Sequence, residues 1–506
     1  MNLLALPQPW TNHHKIIGKN PPPKICVNLR NLWLILPHRM PLNFKTRVNL
    51  PLLSCLVFFC GSLLNRAEDW PRFLGPRADG VSTETNLIDT FPAAGPKILW
   101  ESKIGSGYSA PSIITRPSSV AGAKTNEQIL VLHHRVKNEE VVEAFSPATG
   151  ASLWRHGYPT SYTDPYGYNN GPRCTPLLTD KYCYTFGAEG ILLCLDLQTQ
   201  KVVWKRDTAA DWNVPPAFFG VGSTPVLEGD TLIVMVGGQP NSGMVGLDPA
   251  TGKTKWESVG EKNWTGQPMI GWRGERNVIW NPADKQASYA TPVVATVNGA
   301  RQAFCLMRQG LVSLNPTNGA VNFSFWFRAE VPESVNAAGP IVVGNQILIS
   351  AAYYKVGSVL LEIAPDNKSV KEIWRGTGLE MHWSTPNLID GNLYAFSGRN
   401  EPDAFLRCVD YKTGKILWQR DERWRGHAPT SMTFGRGSTI YADGRLYALG
   451  EAGLFGIFKP NPEKVEELAR WQVPSLHYPC WAAPVLSEGR LYLRSEDQLV
   501  CLSLRK

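Results

Sequence analysis

A single phrase recurs along this chain: an apolar strand, an Asp or Asn, a turn, and a second strand that ends in Trp. Its cleanest copies are MVGLDPATGKTKW at 244–256 and RCVDYKTGKILW at 407–418. LLCLDLQTQKVVW at 192–204 and VVEAFSPATGASLW at 141–154 follow the same plan, and more divergent copies end at Trp326, Trp374 and Trp471. The logic of the phrase is local. The acidic side chain ends one strand and accepts N–H groups of the turn. Gly252 and Gly414 supply the left-handed backbone position that a tight hairpin requires. The Trp closes the outer strand and offers a large ring to the neighbouring unit.

A second phrase precedes each hairpin: two small residues and a Pro, then an alternating apolar run. Ser223-Thr224-Pro225, Ala290-Thr291-Pro292, Ser384-Thr385-Pro386 and Ala482-Ala483-Pro484 are examples. This reads as the start of an innermost strand, where small side chains suit a crowded channel wall and Pro is tolerated at a strand start. Each unit then holds four antiparallel strands, one blade of a β-propeller. Trp100 has no hairpin before it, while the C-terminal run at 491–504 has hairpin strands but no Trp. The two halves complete one blade. The expected fold is all-β, an eight-bladed propeller closed by N- and C-terminal strands, with Trp100, Trp154, Trp204, Trp256, Trp326, Trp374, Trp418 and Trp471 marking its blades. Closure removes the sheet edges that an open array would expose.

Composition agrees with many short turns: the 506 residues include 45 Gly and 39 Pro. The formal charge of +8 is misleading. Residues 1–67 hold eight Lys or Arg and no Asp or Glu, so the rest carries 43 of each sign. A neutral body has no bulk electrostatic footprint for phosphate backbones, which argues against a nucleic-acid partner.

The first 67 residues read as an upstream extension and a signal peptide. Residues 48–64 are almost wholly apolar, Lys45 and Arg47 precede them, and Asn65-Arg66-Ala67 follows. That order fits a secretory signal cut near Ala67, with translation starting at Met40. The alternatives are a membrane anchor, for which the run is short, and a lipoprotein, for which Cys55 lies inside the apolar core rather than after it. The expected mature chain, 68–506, is one propeller domain without a membrane span, periplasmic or extracellular. Seven cysteines lie beyond the leader, an odd number. Cys183, Cys194, Cys305, Cys408 and Cys501 sit in strand-like runs and read as small buried hydrophobes.

Together the two phrases resemble the PQQ-like repeat family of propellers, which includes quinoprotein alcohol dehydrogenases and the propeller lipoprotein of the barrel-assembly machinery. The opening Asp69-Trp70-Pro71-Arg72-Phe73-Leu74-Gly75-Pro76 and the closing Gly489-Arg490-Leu491-Tyr492-Leu493-Arg494 look like a bacterial group of secreted members. The resemblance covers about 70–504. It carries the fold well and the function weakly, since one propeller hosts many functions.

In such propellers the ligand lies over the central channel, on loops between blades and between second and third strands. There the sequence places His382, His427 and His477, in corresponding loops of successive blades, and Glu189, Glu451 and Asp497 in the second loop set. A shared His/carboxylate pocket for a metal or polar ligand stands beside the plainer reading of structural hydrogen bonds. The long loop at 257–291 carries Trp264, Trp272, Arg273, Arg276 and Trp280, and is either a ligand site or a packed lid. Tyr166, Tyr168, Asn169, Asn170 and Arg173 form a polar-aromatic loop that fits the same funnel. The resemblance to the dehydrogenases implies adjacent cysteines, a calcium site and a catalytic Asp. No Cys-Cys pair occurs, and no motif marks the Asp. The expectation is therefore a non-catalytic binding or scaffold protein of the cell envelope, its partner an envelope protein or a small extracytoplasmic ligand. The alternative is a PQQ- and calcium-dependent dehydrogenase of an alcohol or polyol; otherwise no cofactor is indicated.

Overall fold

The computed structural model describes residues 68–117, 125–215, 219–264, 287–329, 334–399, 403–424 and 433–506. Among these residues thirty-two strands form eight four-stranded antiparallel sheets. In seven of them the strands follow chain order, and these are blades 1 to 7: 112–159, 177–207, 226–258, 293–326, 341–376, 387–421 and 437–472. Blade 8 takes Val485–Ser487, Arg490–Arg494 and Gln498–Ser503 from the C-terminal end and Ile98–Lys103 from the N-terminal side. Trp100 pairs with Cys501 there, so the split blade read from the sequence is present.

The hairpin chemistry is also present. Asp248 Oδ1 accepts from the Ala250 and Thr251 amides and from the Thr251 hydroxyl. Asp196 and Asp410 each serve a Thr three residues on in the same way. Gly252 and Gly414 have φ of 68° and 69°. In each blade the outermost strand pair carries a register shift near the start of its outer strand, a bulge that sharpens twist.

Neighbouring blades are joined by the Trp. Trp204 of blade 2 donates its Nε1–H to the Pro249 carbonyl of blade 3 at 2.9 Å and lies over Gly252, where a Cβ would come within 2.6 Å of the ring. Trp100, Trp256 and Trp374 repeat this on Pro147, Pro316 and Tyr411, above Gly150, Gly319 and Gly414. Two of the divergent copies differ. In blade 4 the position beside the bulge belongs to Phe323, opposite Ser313, and Trp326 stands further along, opposite Gly310. In blade 7 Ala469 holds it and Trp471 lies beyond, opposite Phe455. Blade 7 has a longer turn, with Phe458 opposite Glu467, whereas blade 4 keeps the turn length of the clean copies and carries its Trp three residues further along the strand, so Trp spacing alone misplaced the equivalent residue.

The seven cysteines among the described residues are free and buried. Burial in apolar strands raises the thiols, Cys194 and Cys501 to about 12. Among the described residues no helix is long and apolar enough to cross a membrane.

Candidate functional site

The small-small-Pro phrase builds the centre of the ring. Its threonines link blades: the Ala110, Thr175 and Thr224 amides donate to the hydroxyls of Thr175, Thr224 and Thr291 in the next blade, at 3.2, 3.2 and 3.4 Å. The residue immediately before each phrase points into a cavity of about 180 Å³. In this way Tyr108, Arg173, Gly222, Tyr289, Ala337, Trp383 and Trp481, one from each of seven blades, form its wall. Gly222 is required by closeness, since a Cβ there would meet the Tyr289 ring at 2.5 Å.

The wall is aromatic and continuous. Trp481 contacts Tyr108 at 4.8 Å, Trp383 at 5.1 Å and Tyr168 at 5.9 Å between ring centroids. Phe219 bridges Tyr168 and Tyr289, each at 5.7 Å. Two arginines stiffen it. Arg173 lines the cavity, sits 5.7 Å from the Tyr108 ring and pairs with the buried Asp164 at 2.7 Å. Arg436 lies behind the wall, 4.6 Å from the Trp383 ring centroid. It binds both oxygens of the fully buried Glu451, with Nη2 to Oε2 at 2.8 Å, and Trp481 Nε1 donates to the same oxygen at 3.0 Å. Burial pushes the Glu451 carboxyl up against the pull of Arg436.

His382 is in this wall, and its tautomer is fixed by its partners. Arg436 Nη1 can only donate, so His382 Nδ1 accepts from it at 3.1 Å and Nε2 carries the hydrogen toward the Tyr353 hydroxyl at 3.3 Å. Desolvation, with Arg436 and Arg399 nearby, holds the imidazole well below its usual range, so it stays neutral. Burial pushes the Tyr353 phenol up to about 12 and the Tyr108 and Tyr289 phenols higher still.

The other residues singled out from the sequence are distributed around this site. Tyr168 and Arg173 line the cavity with His382. Asn170 stands behind them, its Oδ1 accepting from the Asp164 amide at 2.8 Å. His477 is not in the cavity wall. It is 59% exposed, with Nε2 at 3.1 Å from Asp497. Glu189 accepts from the Thr160 and Ser161 hydroxyls. Trp272, Arg273 and His427 lie outside the described residues, as do Arg276 and Trp280. Trp264 packs on Trp326 at 5.1 Å. Sequence reasoning passed over Trp383 and Trp481, whose signal was their place directly before Ser384-Thr385-Pro386 and Ala482-Ala483-Pro484.

The donor set decides what the cavity can hold. A flat aromatic group fits between Trp, Tyr and Phe faces, and Arg173 adds a positive charge for an acidic substituent. A hard cation needs several carboxylate or carbonyl oxygens. Among the described residues no carboxylate lines the cavity; behind it Asp164 and Glu451 are taken by arginines, and Glu496 is hydrogen-bonded to Tyr108 and Asn169. Among the described residues no three His, Cys, Asp or Glu side chains converge. The described residues of this wall therefore offer calcium no fitting ligand set.

A family model described as outer membrane protein assembly factor BamB matches residues 138–420. No curated protein sequence matches the chain significantly. Among solved structures, the quinohemoprotein alcohol dehydrogenase from Comamonas testosteroni is 13% identical, with 86% of this chain and 80% of that chain covered and a TM-score of 0.56. The quinohemoprotein alcohol dehydrogenase ADHIIG from Pseudomonas putida HK5 is 12% identical over the same shares, with a TM-score of 0.54. BamB from Moraxella catarrhalis is 14% identical, with 80% of this chain and 98% of that chain covered and a TM-score of 0.45. At these identities the likeness is one of fold.

Proposed function

We propose, from the premise that this chain belongs to the family described as outer membrane protein assembly factor BamB, that it is an exported, non-catalytic propeller that binds a planar or aromatic group at the centre of its ring. In this reading residues 1–67 are the export leader, cut near Ala67, and 68–506 is the binding domain. The group belongs either to an envelope protein or to a small extracytoplasmic ligand. One observation carries the proposal: the cavity wall is aromatic and cationic, and among the described residues that line it no carboxylate or free imidazole stands ready to take a proton. Burial raises the phenols of Tyr108, Tyr289 and Tyr353, the imidazole accepts from an arginine, and Asp164 and Glu451 are tied in ion pairs.

The second reading, a quinoprotein dehydrogenase, is favoured by Trp383 and Trp481, which offer flat faces to a quinone. A quinone would supply the redox chemistry, and this chain would contribute the stacking faces and the charge of Arg173. The test is direct. Purified protein is mixed with PQQ and Ca²⁺, and Trp fluorescence and alcohol-dependent dye reduction are followed. Quenching without dye reduction supports the binding reading. Dye reduction that Arg173→Ala abolishes would replace it with the dehydrogenase.

A further inference from the structure

A second pocket, of about 390 Å³, lies between blades 5 and 6 on the far side of Tyr353 from His382, and the channel reading makes no use of it. Lys355, Glu380, Arg399, Asp403 and Arg407 line it, with Phe405 as an apolar wall. Its charges are poised rather than paired. The Arg399 guanidinium is held between two rings, 4.4 Å from the Tyr353 centroid and 4.6 Å from that of Tyr354, and makes no hydrogen bond or ion pair among the described residues. Lys355 likewise has neither. Glu380 Oε1 is buried without a hydrogen-bond partner. Burial raises that carboxyl, Arg407 and Lys355 pull it down, and Asp403 raises it again, so these groups share one field.

The backbone holds this arrangement at a cost. Tyr354 and Lys355 are consecutive non-glycine residues with φ of 52° and 57°. Such conformations persist where surrounding structure forces them and concentrate at ligand sites. Here the strain directs the Tyr354 ring onto Arg399 and Lys355 into the pocket.

We propose that this pocket is a second binding site, for a small molecule carrying a carboxylate and an ammonium group on neighbouring atoms, of which a free α-amino acid is the simplest. Arg399 and Lys355 supply donors for the carboxylate, and a guanidinium held flat by ring stacking suits a planar oxyanion. Glu380 and Asp403 supply the negative charge that faces the ammonium. Phe405 faces the ligand's apolar part. A phosphate dianion fits worse, because two carboxylates in the wall repel it. The site does not depend on what occupies the channel.

Calorimetric titration of the full chain tests this with free leucine, leucinamide, N-acetyl-leucine and inorganic phosphate. Leucine binds, and the two analogues that each lack one charge bind at least about tenfold more weakly, the usual scale of one charged hydrogen bond. Arg399→Ala and the isosteric Glu380→Gln each weaken leucine by a similar factor, while Arg173→Ala leaves it unchanged. The proposal is overturned if leucine does not bind, if N-acetyl-leucine or phosphate binds as well as leucine, or if Arg173→Ala removes binding that Arg399→Ala and Glu380→Gln leave intact.

Discussion

Trp471, in the outer strand of blade 7, packs over Gly95, a residue that precedes the first strand of the molecule. A Cβ on Gly95 would fall 2.2 Å from that ring, and φ there is +88°. Gly95 thus takes the place that Gly252 and Gly414 hold in unbroken hairpins, and the N-terminal segment supplies blade 8 with its turn glycine as well as its outer strand. The seam thus repeats the Trp-over-Gly packing seen at Gly150, Gly252, Gly319 and Gly414.

Removing residues 491–506 takes away nearly all of Arg490–Arg494 and the whole of Gln498–Ser503. It leaves Ile98–Lys103 without its partner and opens the ring on both sides. The truncated chain is expected to lose its cooperative melt and to associate through the exposed edge. A melt matching that of the full chain, followed by circular dichroism, would show that closure is not needed.

Trp256 is buried to 8% exposure and donates to the Pro316 carbonyl at 3.2 Å. Trp256→Ala is expected to destabilise by about 3–5 kcal/mol, the usual cost of removing a large buried aromatic. Trp418, half-buried, should cost less, about 2–3 kcal/mol on the same scale. Denaturant titration of both variants checks the order. Losses below about 1 kcal/mol, typical of surface positions, would place these rings outside the blade interfaces.

Arg436 and Glu451 form a buried pair behind the cavity, 6% and 0% exposed. Arg436→Met strands a carboxylate and should cost about 3–5 kcal/mol, whereas adding Glu451→Gln should recover much of it, because a neutral amide is cheaper to bury. If the double variant is no more stable than the single one in chemical denaturation, the pair is not the source of the cost.

His133 is fully buried in blade 1, its Nε2 at 3.2 Å from the Tyr158 hydroxyl, and desolvation lowers it from 6.5 to about 3. Below pH 6.5 the unfolded chain protonates this imidazole and the folded chain does not, so stability falls as pH drops from 6.5 toward about 3. The neighbouring Glu140, raised by burial, works in the opposite direction above pH 4.5. His133→Gln should therefore flatten the acid side of the stability profile by up to about 1.4 kcal/mol per pH unit. An unchanged slope between pH 6.5 and 5 would show that His133 titrates normally in the fold.

The blades were legible because their signals are local. Asp248, Gly252 and Trp256 lie within one hairpin, and the chemistry of each needs the others at short range. The closing blade was legible too, since Trp100 without a hairpin and a hairpin without Trp are complementary. The cavity was harder to read. Its wall takes one residue from each of seven blades, so no window of sequence contains it, and Tyr108 meets Trp481 only after the ring forms. His382 and His477 occupy corresponding loops, yet the first is gripped by Arg436 and Tyr353 while the second pairs with Asp497 at the surface. Loop position fixes which face of the ring a side chain occupies, and neighbouring charges fix where it points.

The seam at blade 8 also dictates an order of events during synthesis. Ile98 pairs with Leu502, the partners that lie furthest apart along the strand ladders. Contacts so distant in sequence form late, because a long loop must close before they contribute any stability. While residues 498–503 are still unmade, the earlier blades can only be an arc with two free ends. The nascent chain therefore carries an unpaired Ile98–Lys103 strand until residues 498–503 have been translated. Any factor that guards exposed strands would find this segment available throughout the synthesis of the seven blades that separate it from its partner.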